Sequence, residues 1–343
     1  MAKTLRIAVF GAGSVGCYVG GRLLAAGGDV VLIGRPRLAD ILAEHPLRVS
    51  DLTGFSAEIL PGAIPFVTDA SAAADADLVL VCVKSAATLA AAEALRPHLP
   101  PNIPVVSLQN GISNAAELQR ILSGNPVLAG MVPFNILQKA PGHFHQGTDG
   151  HLMAGAHPVV TQAQPLFEEA GLPLEAREDM PRVLWSKLLL NLNNPLNALA
   201  GIPLKEELSQ RAWRQCLGMA QRETLQLLKR AGIPTVRLTP LPMPLLPWLM
   251  GVPDFLFRRL ASNMVAMDPI ARSSMWEDLE AGRKTEVDYI NGEVVRLAES
   301  LGATAPINQA LIQLIRDAEQ NRPEPWSGKA LLAHLRQVRA GAR

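Results

Sequence analysis

The chain has 343 residues, and its 32 Lys and Arg nearly balance 31 Asp and Glu, for a formal charge of +1. It is 48% hydrophobic and 18% charged, which suits packed cores, excludes a disordered chain and lacks the basic surplus of a nucleic-acid binder. Aromatics are only 4%, so stacking platforms for bases are not expected, and at roughly 150 residues per domain the length suggests two domains.

In chain order, residues 5–10 read as an apolar strand that ends at Gly11, 14–26 as a helix stopped by Gly27-Gly28, and 30–33 as a second strand. Asp75 and Asp77 introduce a third clear strand at 78–83, followed by an Ala-rich helix at 86–95. A strand at 104–107, a helix at 115–122 and a strand at 127–131 come next. Nearly continuous apolar strands alternating with helices signal a parallel sheet covered on both faces. From about Pro181 the strand-like runs stop. Segments of 3.6-residue period follow at 183–199, 206–230, 269–281, 285–301 and 308–320. The expected fold is α/β: a Rossmann-type doubly wound parallel sheet over 1–175, then an all-helical domain over 176–343. The Pro-rich stretch 234–253 reads as an irregular loop or broken helices.

Cys17, Cys82 and Cys216 are too few and too widely spaced for a disulfide framework or a metal site. His143 and His145 are the nearest approach to a histidine cluster, and two ligands on a loop make a poor zinc site, so no metal is expected. The N-terminal residues lack a signal-peptide pattern. The most apolar window, 241–257, is broken by Pro242, Pro244, Pro247 and Pro253, which argues against a membrane span. A cytoplasmic protein is expected. The same apolar window suits either the surface of a homodimer or a lid over a cleft.

Gly11-Ala12-Gly13-Ser14-Val15-Gly16 links the first strand to the first helix. In that context Gly11 makes a tight turn, Gly13 lets backbone approach a pyrophosphate, and Gly16 lets helix and strand pack closely. The helix N-terminus then holds the anion. The second strand runs into Gly34-Arg35-Pro36-Arg37, with Asp29 at its wrong end to bind a ribose 2′-hydroxyl. An arginine without a carboxylate there favours the 2′-phosphate of NADP.

Ligands of open α/β sheets sit outside the carboxyl ends of the strands. Two of those ends are polar, at Lys84-Ser85 and at Gln109-Asn110-Gly111. The second could equally be a turn dipeptide. In the helical half, Lys187, Asn191 and Asn194 fall at i, i+4 and i+7 among leucines. Such a stripe is either an exposed polar face or a set of hydrogen-bonding groups turned to an interdomain cleft.

These stretches together resemble the ketopantoate reductase family, NADP-dependent reductases of 2-dehydropantoate in pantothenate biosynthesis. The likeness also takes in Trp185-x-Lys187, Ser273-Ser274-Met275 and the block from Gly282 to Gly292. It implies Lys187 as the catalytic proton donor to the ketone oxygen and Glu286 as its acidic partner. It further implies Asn110 as a holder of the lysine and cofactor, Ser274 at the substrate carboxylate, and Asn191 with an asparagine near 194 at the substrate's polar groups. Arg35 matches a basic position at the 2′-phosphate. In the family pattern the second helix asparagine lies eight residues after the lysine, just before a proline. Here Asn194 lies at seven, so Asn193, Asn194 and Asn197 compete for that place. The expected reaction is NADPH-dependent reduction of ketopantoate to pantoate. Reduction of a different 2-oxo acid by the same residues is the alternative, and a non-catalytic NADP-sensing protein is a third.

Overall fold

The computed structural model describes residues 5–260, 271–321 and 324–342. It divides into two compact units, Met1–Pro181 and Arg182–Arg343. The first unit runs β1 (Arg6–Phe10), α1 (Ser14–Ala25), β2 (Asp29–Ile33), α2 (Pro36–Glu44), β3 (Leu47–Ser50), β4 (Ser56–Ile59), β5 (Phe66–Val67) and β6 (Leu78–Val81). It continues with α3 (Thr88–Leu95), β7 (Val105–Ser107), α4 (Asn114–Ile121), β8 (Val127–Met131), β9 (Ile136–Ala140), β10 (His143–Gln146), β11 (Leu152–Gly155), α5 (Pro158–Glu169) and β12 (Leu174–Arg177).

The main sheet has the order β12-β11-β8-β7-β6-β1-β2-β5. Its middle is parallel: β1 pairs with β2 and β6, β6 with β7, and β7 with β8. At the far side β11 runs antiparallel to β8. Alternation along β1 serves two cores. Ile7 and Val9 pack with Leu32, Leu80 and the α1 residues Cys17, Val19 and Leu23. Ala8 faces the other way, with Val31, Val79, Ala92 and Leu118. The apolar strand runs are therefore apolar on both faces for a reason, as a doubly covered sheet requires. The chain leaves β1 toward β2 on one side and later returns to β6 on the other, so a crevice opens at the carboxyl end of β1.

A second sheet, ordered β4-β3-β10-β9, departs from the sequence expectation. It is a hairpin of β3 and β4 joined to β10 and β9, with β3 and β10 parallel. Helix α1 lies between the two sheets, and its glycines make that fit. A Cβ on Gly20 would run into Leu32 of the main sheet, and one on Gly21 would come within 2.8 Å of Val49 in β3. Arg22, buried on the same helix, fastens the layers together. It pairs with Asp51 after β3 at 2.8 Å, donates to the Ala170 carbonyl and the Tyr18 hydroxyl, and stacks 3.7 Å from the Phe55 ring centroid. Tyr18 in turn donates to Gln146 of β10.

Helix α6 (Met180–Asn191) straddles the division between units and leads into α7 (Asn194–Ala200), α8 (Leu204–Ser209), α9 (Arg211–Arg230), α10 (Leu246–Gly251) and α11 (Asp254–Leu260). Then come α12 (Ser274–Glu280), α13 (Val287–Ser300), α14 (Pro306–Asn321) and α15 (Gly328–Gly341). The single helix expected at 183–199 is two. Pro195 has no N–H to offer the Asn191 carbonyl, the Asn193 amide tightens onto the Leu190 carbonyl, and α7 begins afresh with proline in its first turn. The segment expected at 206–230 is likewise divided, at the extended Gln210. Of the helix expected at 269–281, residues 269 and 270 lie outside the described residues, and the helix observed starts at Ser274. The Pro-rich stretch forms a 3₁₀ turn and α10, which packs on α9. Buried Arg214 of α9 holds the chain beyond α10 by donating to the Val252 carbonyl and to Asp254. No helix of the described residues is long and apolar enough to cross a membrane.

Candidate active site

In the first unit the turn after β1 is built from backbone. Gly11 has φ +95°, and a Cβ there would lie 2.5 Å from the Val83 amide nitrogen, so only glycine fits. The amides of Gly11 and Ala12 both donate to the Ile33 carbonyl at 2.9 Å, lashing the turn to the end of β2. A Cβ on Gly16 would sit 2.6 Å from the Gly11 carbonyl oxygen, so α1 rests directly on the turn. Gly13 differs: its nearest neighbour would be 4.0 Å away, leaving open space beside it. It precedes α1 with no side chain capping the helix, and the first-turn amides of Ser14, Val15 and Gly16 are those an α-helix cannot satisfy internally. The arrangement is an uncapped helix N-terminus with backbone accessible to an anion.

Arg35 stands exposed just past β2, after Gly34, where a Cβ would meet the Phe66 ring at 2.5 Å. Asp29 pairs with Arg6 at the opposite end of the strands. Lys84 and Asn110 follow β6 and β7, adjacent parallel strands, so their loops are neighbours. A buried polar network ties those loops together. Asn114 donates to the Asn110 carbonyl at 2.6 Å and to Ser85 Oγ at 3.2 Å, and Ser85 also donates to the Asn110 carbonyl. Gln109 bridges Ser107 and Thr88. The Gln109-Asn110-Gly111 stretch is thus more than a surface turn, although Gly111 does take φ +103°. Thr88 and Asn114 escape a reading of the sequence because each alone looks like an ordinary loop or helix-end residue.

In the second unit Lys187 lies on α6 among buried Leu184, Trp185, Leu188 and Leu189. Its side chain is half-buried, and burial pushes the ammonium down from the usual 10.5 to about 8. Asn191 follows one turn later, half-buried. Asn194 opens the next helix, so it does not continue the α6 face as the i, i+7 spacing implied.

The three competing asparagines separate by burial. Asn193 and Asn197 are buried, and both donate to the carboxyl group of Glu207, at 3.3 and 2.8 Å. Asn197 also accepts the Ser273 amide at 2.8 Å. Asn194 stays half-buried, its carbonyl accepting from Ser273 Oγ at 3.2 Å. The serines divide labour in the same way. Ser273 is buried as the cap of α12, its Oγ accepting from the Trp276 amide, whereas Ser274 is exposed. Glu286 is buried just ahead of α13. Glu207 was not anticipated. It sits beside Glu206 in a short acidic helix and reads as a solvated residue until its burial is seen.

The family description ketopantoate reductase PanE/ApbA matches residues 7–158, and its C-terminal counterpart matches residues 179–319. Among curated relatives, a 2-dehydropantoate 2-reductase of Halobacterium salinarum is 28% identical, covering 92% of this chain and 100% of its own. One of Archaeoglobus fulgidus is also 28% identical, with 92% and 99% covered. Among solved structures, a PanE/ApbA family ketopantoate reductase from Ralstonia eutropha superposes with a TM-score of 0.78 at 31% identity, covering 93% of this chain and 99% of its own. A D-mandelate dehydrogenase bound to NADH and anilino(oxo)acetate shares the fold, with a TM-score of 0.74 at 20% identity over 92% of this chain and 98% of its own. A glycine turn at a sheet crevice, a lysine helix in a helical unit and matches over both units together mean that this oxidoreductase belongs to the ketopantoate reductase family.

Proposed function

We propose that the protein reduces a 2-oxo acid with NADPH, ketopantoate being the first candidate and pantoate its product. The single observation that carries this reading is Lys187, a lysine among buried leucines on α6 whose ammonium is tuned by burial to about 8. A group with that pKa is still largely protonated at neutral pH and gives up its proton readily, which suits a general acid.

The residues of the first unit fit a dinucleotide. The turn at Gly11, Ala12, Gly13, Ser14, Val15 and Gly16 offers open space beside Gly13 and uncapped helix amides for a pyrophosphate. Arg35 would grip a 2′-phosphate, and Lys84 and Asn110 would line the crevice end of β6 and β7. When bound, the nicotinamide supplies the two electrons that reduce the carbonyl carbon.

In the second unit, Lys187 would hydrogen-bond the carbonyl oxygen, stabilise its growing charge and hand over the proton. Glu286 would orient the ammonium, and Asn110 would help hold it. Asn191 and Asn194 would bind the substrate's hydroxyl and keto groups, and Ser274 its carboxylate. Asn194 is favoured over Asn193 and Asn197 because those two are committed to Glu207.

NADPH oxidation followed in absorbance with a panel of 2-oxo acids tests the reading. Turnover with ketopantoate is expected, with a KM for NADPH below that for NADH. Turnover only with another 2-oxo acid changes the substrate, equal use of NADH removes the Arg35 role, and no turnover with any acid rejects the reading.

A further inference from the structure

Glu207 is fully buried on α8, where its carboxyl group meets two side-chain amides. Its Oε2 accepts from the amides of Asn193 and Asn197. Among the described residues its Oε1 has no donor, and neither has the buried Oδ1 of Asn193. Each buried acceptor left without a donor carries a desolvation cost, and here two lie on side chains already in contact. One proton resolves both. A carboxylic acid and a primary amide can pair side by side, the amide N–H giving to one carboxyl oxygen while the carboxyl O–H gives to the amide oxygen. The Asn193 Nδ2 contact to Oε2 is already one half of such a ring.

We infer that Glu207 is kept as the neutral acid, paired with the Asn193 amide, and acts as a positioning residue for the groups that Asn194 and Ser274 present. The link is a chain of hydrogen bonds. Glu207 holds Asn197, Asn197 holds the Ser273 amide, and Ser273 caps α12 while donating to the Asn194 carbonyl. The Leu204 amide, at the start of α8, also donates to the Ala271 carbonyl just ahead of that cap. The acid thereby fixes the starts of α7 and α12 relative to one another. Burial pushes its pKa up from 4.5 to about 8 against the opposing hydrogen bonds of Asn197 and Asn193, in keeping with a neutral group.

The substrate-positioning part rests on the function proposed above; the protonation and the coupling to α12 do not. Three variants separate them. Glu207→Gln keeps a neutral group of the same shape, with an N–H in place of the O–H, so it is expected to preserve the network. Glu207→Ala removes it, and Glu207→Asp, which withdraws the carboxyl by one methylene, serves if the alanine variant does not fold. Hydrogen exchange at the Ser273 amide is the readout that needs no substrate. Protection is expected to stay within about twofold in the glutamine variant and to fall at least about tenfold in the alanine or aspartate variant. An infrared difference spectrum, wild type minus Glu207→Gln, is expected to show a protonated carboxyl carbonyl band near neutral pH. With an active substrate, Glu207→Ala should raise its KM at least about tenfold, leave the KM for NADPH unchanged, and be rescued by glutamine. A carboxylate band, or a glutamine variant that exchanges as fast as the alanine one, overturns the inference. Unchanged substrate KM alongside lost protection overturns only its positioning part. Failure of the wild type to turn over any 2-oxo acid rejects the functional reading while the exchange and infrared results still decide the acid's state.

Discussion

At the scale of single residues, the proposed proton donor Lys187 has an environment that sets its pH behaviour. In the proposed role the protonated form would be the donor, so activity is expected to be full well below about 8 and to fall as the pH rises through that value. Lys187→Ala should lower kcat about 100-fold or more while NADPH still binds with wild-type affinity, because the glycine turn and Arg35 belong to the other unit. Lys187→Arg keeps the charge but has no accessible titration, so it should be slow and lose the decline near 8. Steady-state pH profiles of the three proteins, with fluorescence titration of NADPH, check all of this. A wild-type limb that persists in the arginine variant assigns it to another group. The contrast between Ser273 and Ser274 is of the same scale: neighbours in sequence, one is spent on a helix cap and the other is free to meet a ligand.

At the scale of elements, α1 carries more than the glycine turn at its head, because it is packed between two sheets. Its small residues let both sheets approach, and Arg22 joins them through Asp51, Tyr18 and Ala170. Arg22→Ala would leave Asp51 without its cation and is expected to cost about 3 kcal/mol or more of stability in urea unfolding. Burial disfavours the Asp51 carboxylate, but hydrogen bonds from Thr53, Arg22 and the Phe55 amide outweigh it and hold the carboxyl below the usual range. Its stabilising effect is therefore present above the ordinary carboxylate pKa and disappears on acidification, so the variant should lose less stability than wild type as the pH falls. Wild-type and variant acid limbs that run in parallel would refute the pairing. Legibility varied by element in the same physical terms. The parallel strands were readable because both their faces are buried, leaving long apolar runs. The second sheet was not, because β3, β4 and β10 are short and carry Arg48, Ser50, Glu58, His143 and His145 on strands that read as loops. Lys187 stood out as a charge among leucines. The break before Asn194 was signalled only by Pro195, and the role of Glu207 by nothing in the sequence, since burial is what distinguishes it from Glu206.

At the scale of the whole molecule, the near-zero net charge says nothing of where protons are held, and Glu207 shows why that matters for stability. Its folded pKa of about 8 lies above the ordinary 4.5, so the folded protein keeps a proton that the unfolded chain releases between those values. The stability contributed by that proton is fully present below 4.5 and is lost as the pH rises through about 8. At about 1.4 kcal/mol per pH unit as an upper bound, the loss across the window amounts to a few kcal/mol. Glu207→Gln has no proton to lose. Its stability relative to wild type should therefore begin near or below zero at the acid end of the window and climb steadily in favour of glutamine toward about pH 8. Lys187 and Asp51 titrate in both proteins, so their contributions cancel in the difference as long as the two sites do not couple. Urea unfolding of the pair at several pH values across the window reads the slope directly. A difference that stays flat places the carboxyl's folded and unfolded pKa values together and refutes the retained proton. A difference that climbs ties the proton on Glu207 to the same fold that sets the starts of α7 and α12, so mild alkali would loosen Asn194 and Ser274 in the pH range where Lys187 loses its own proton.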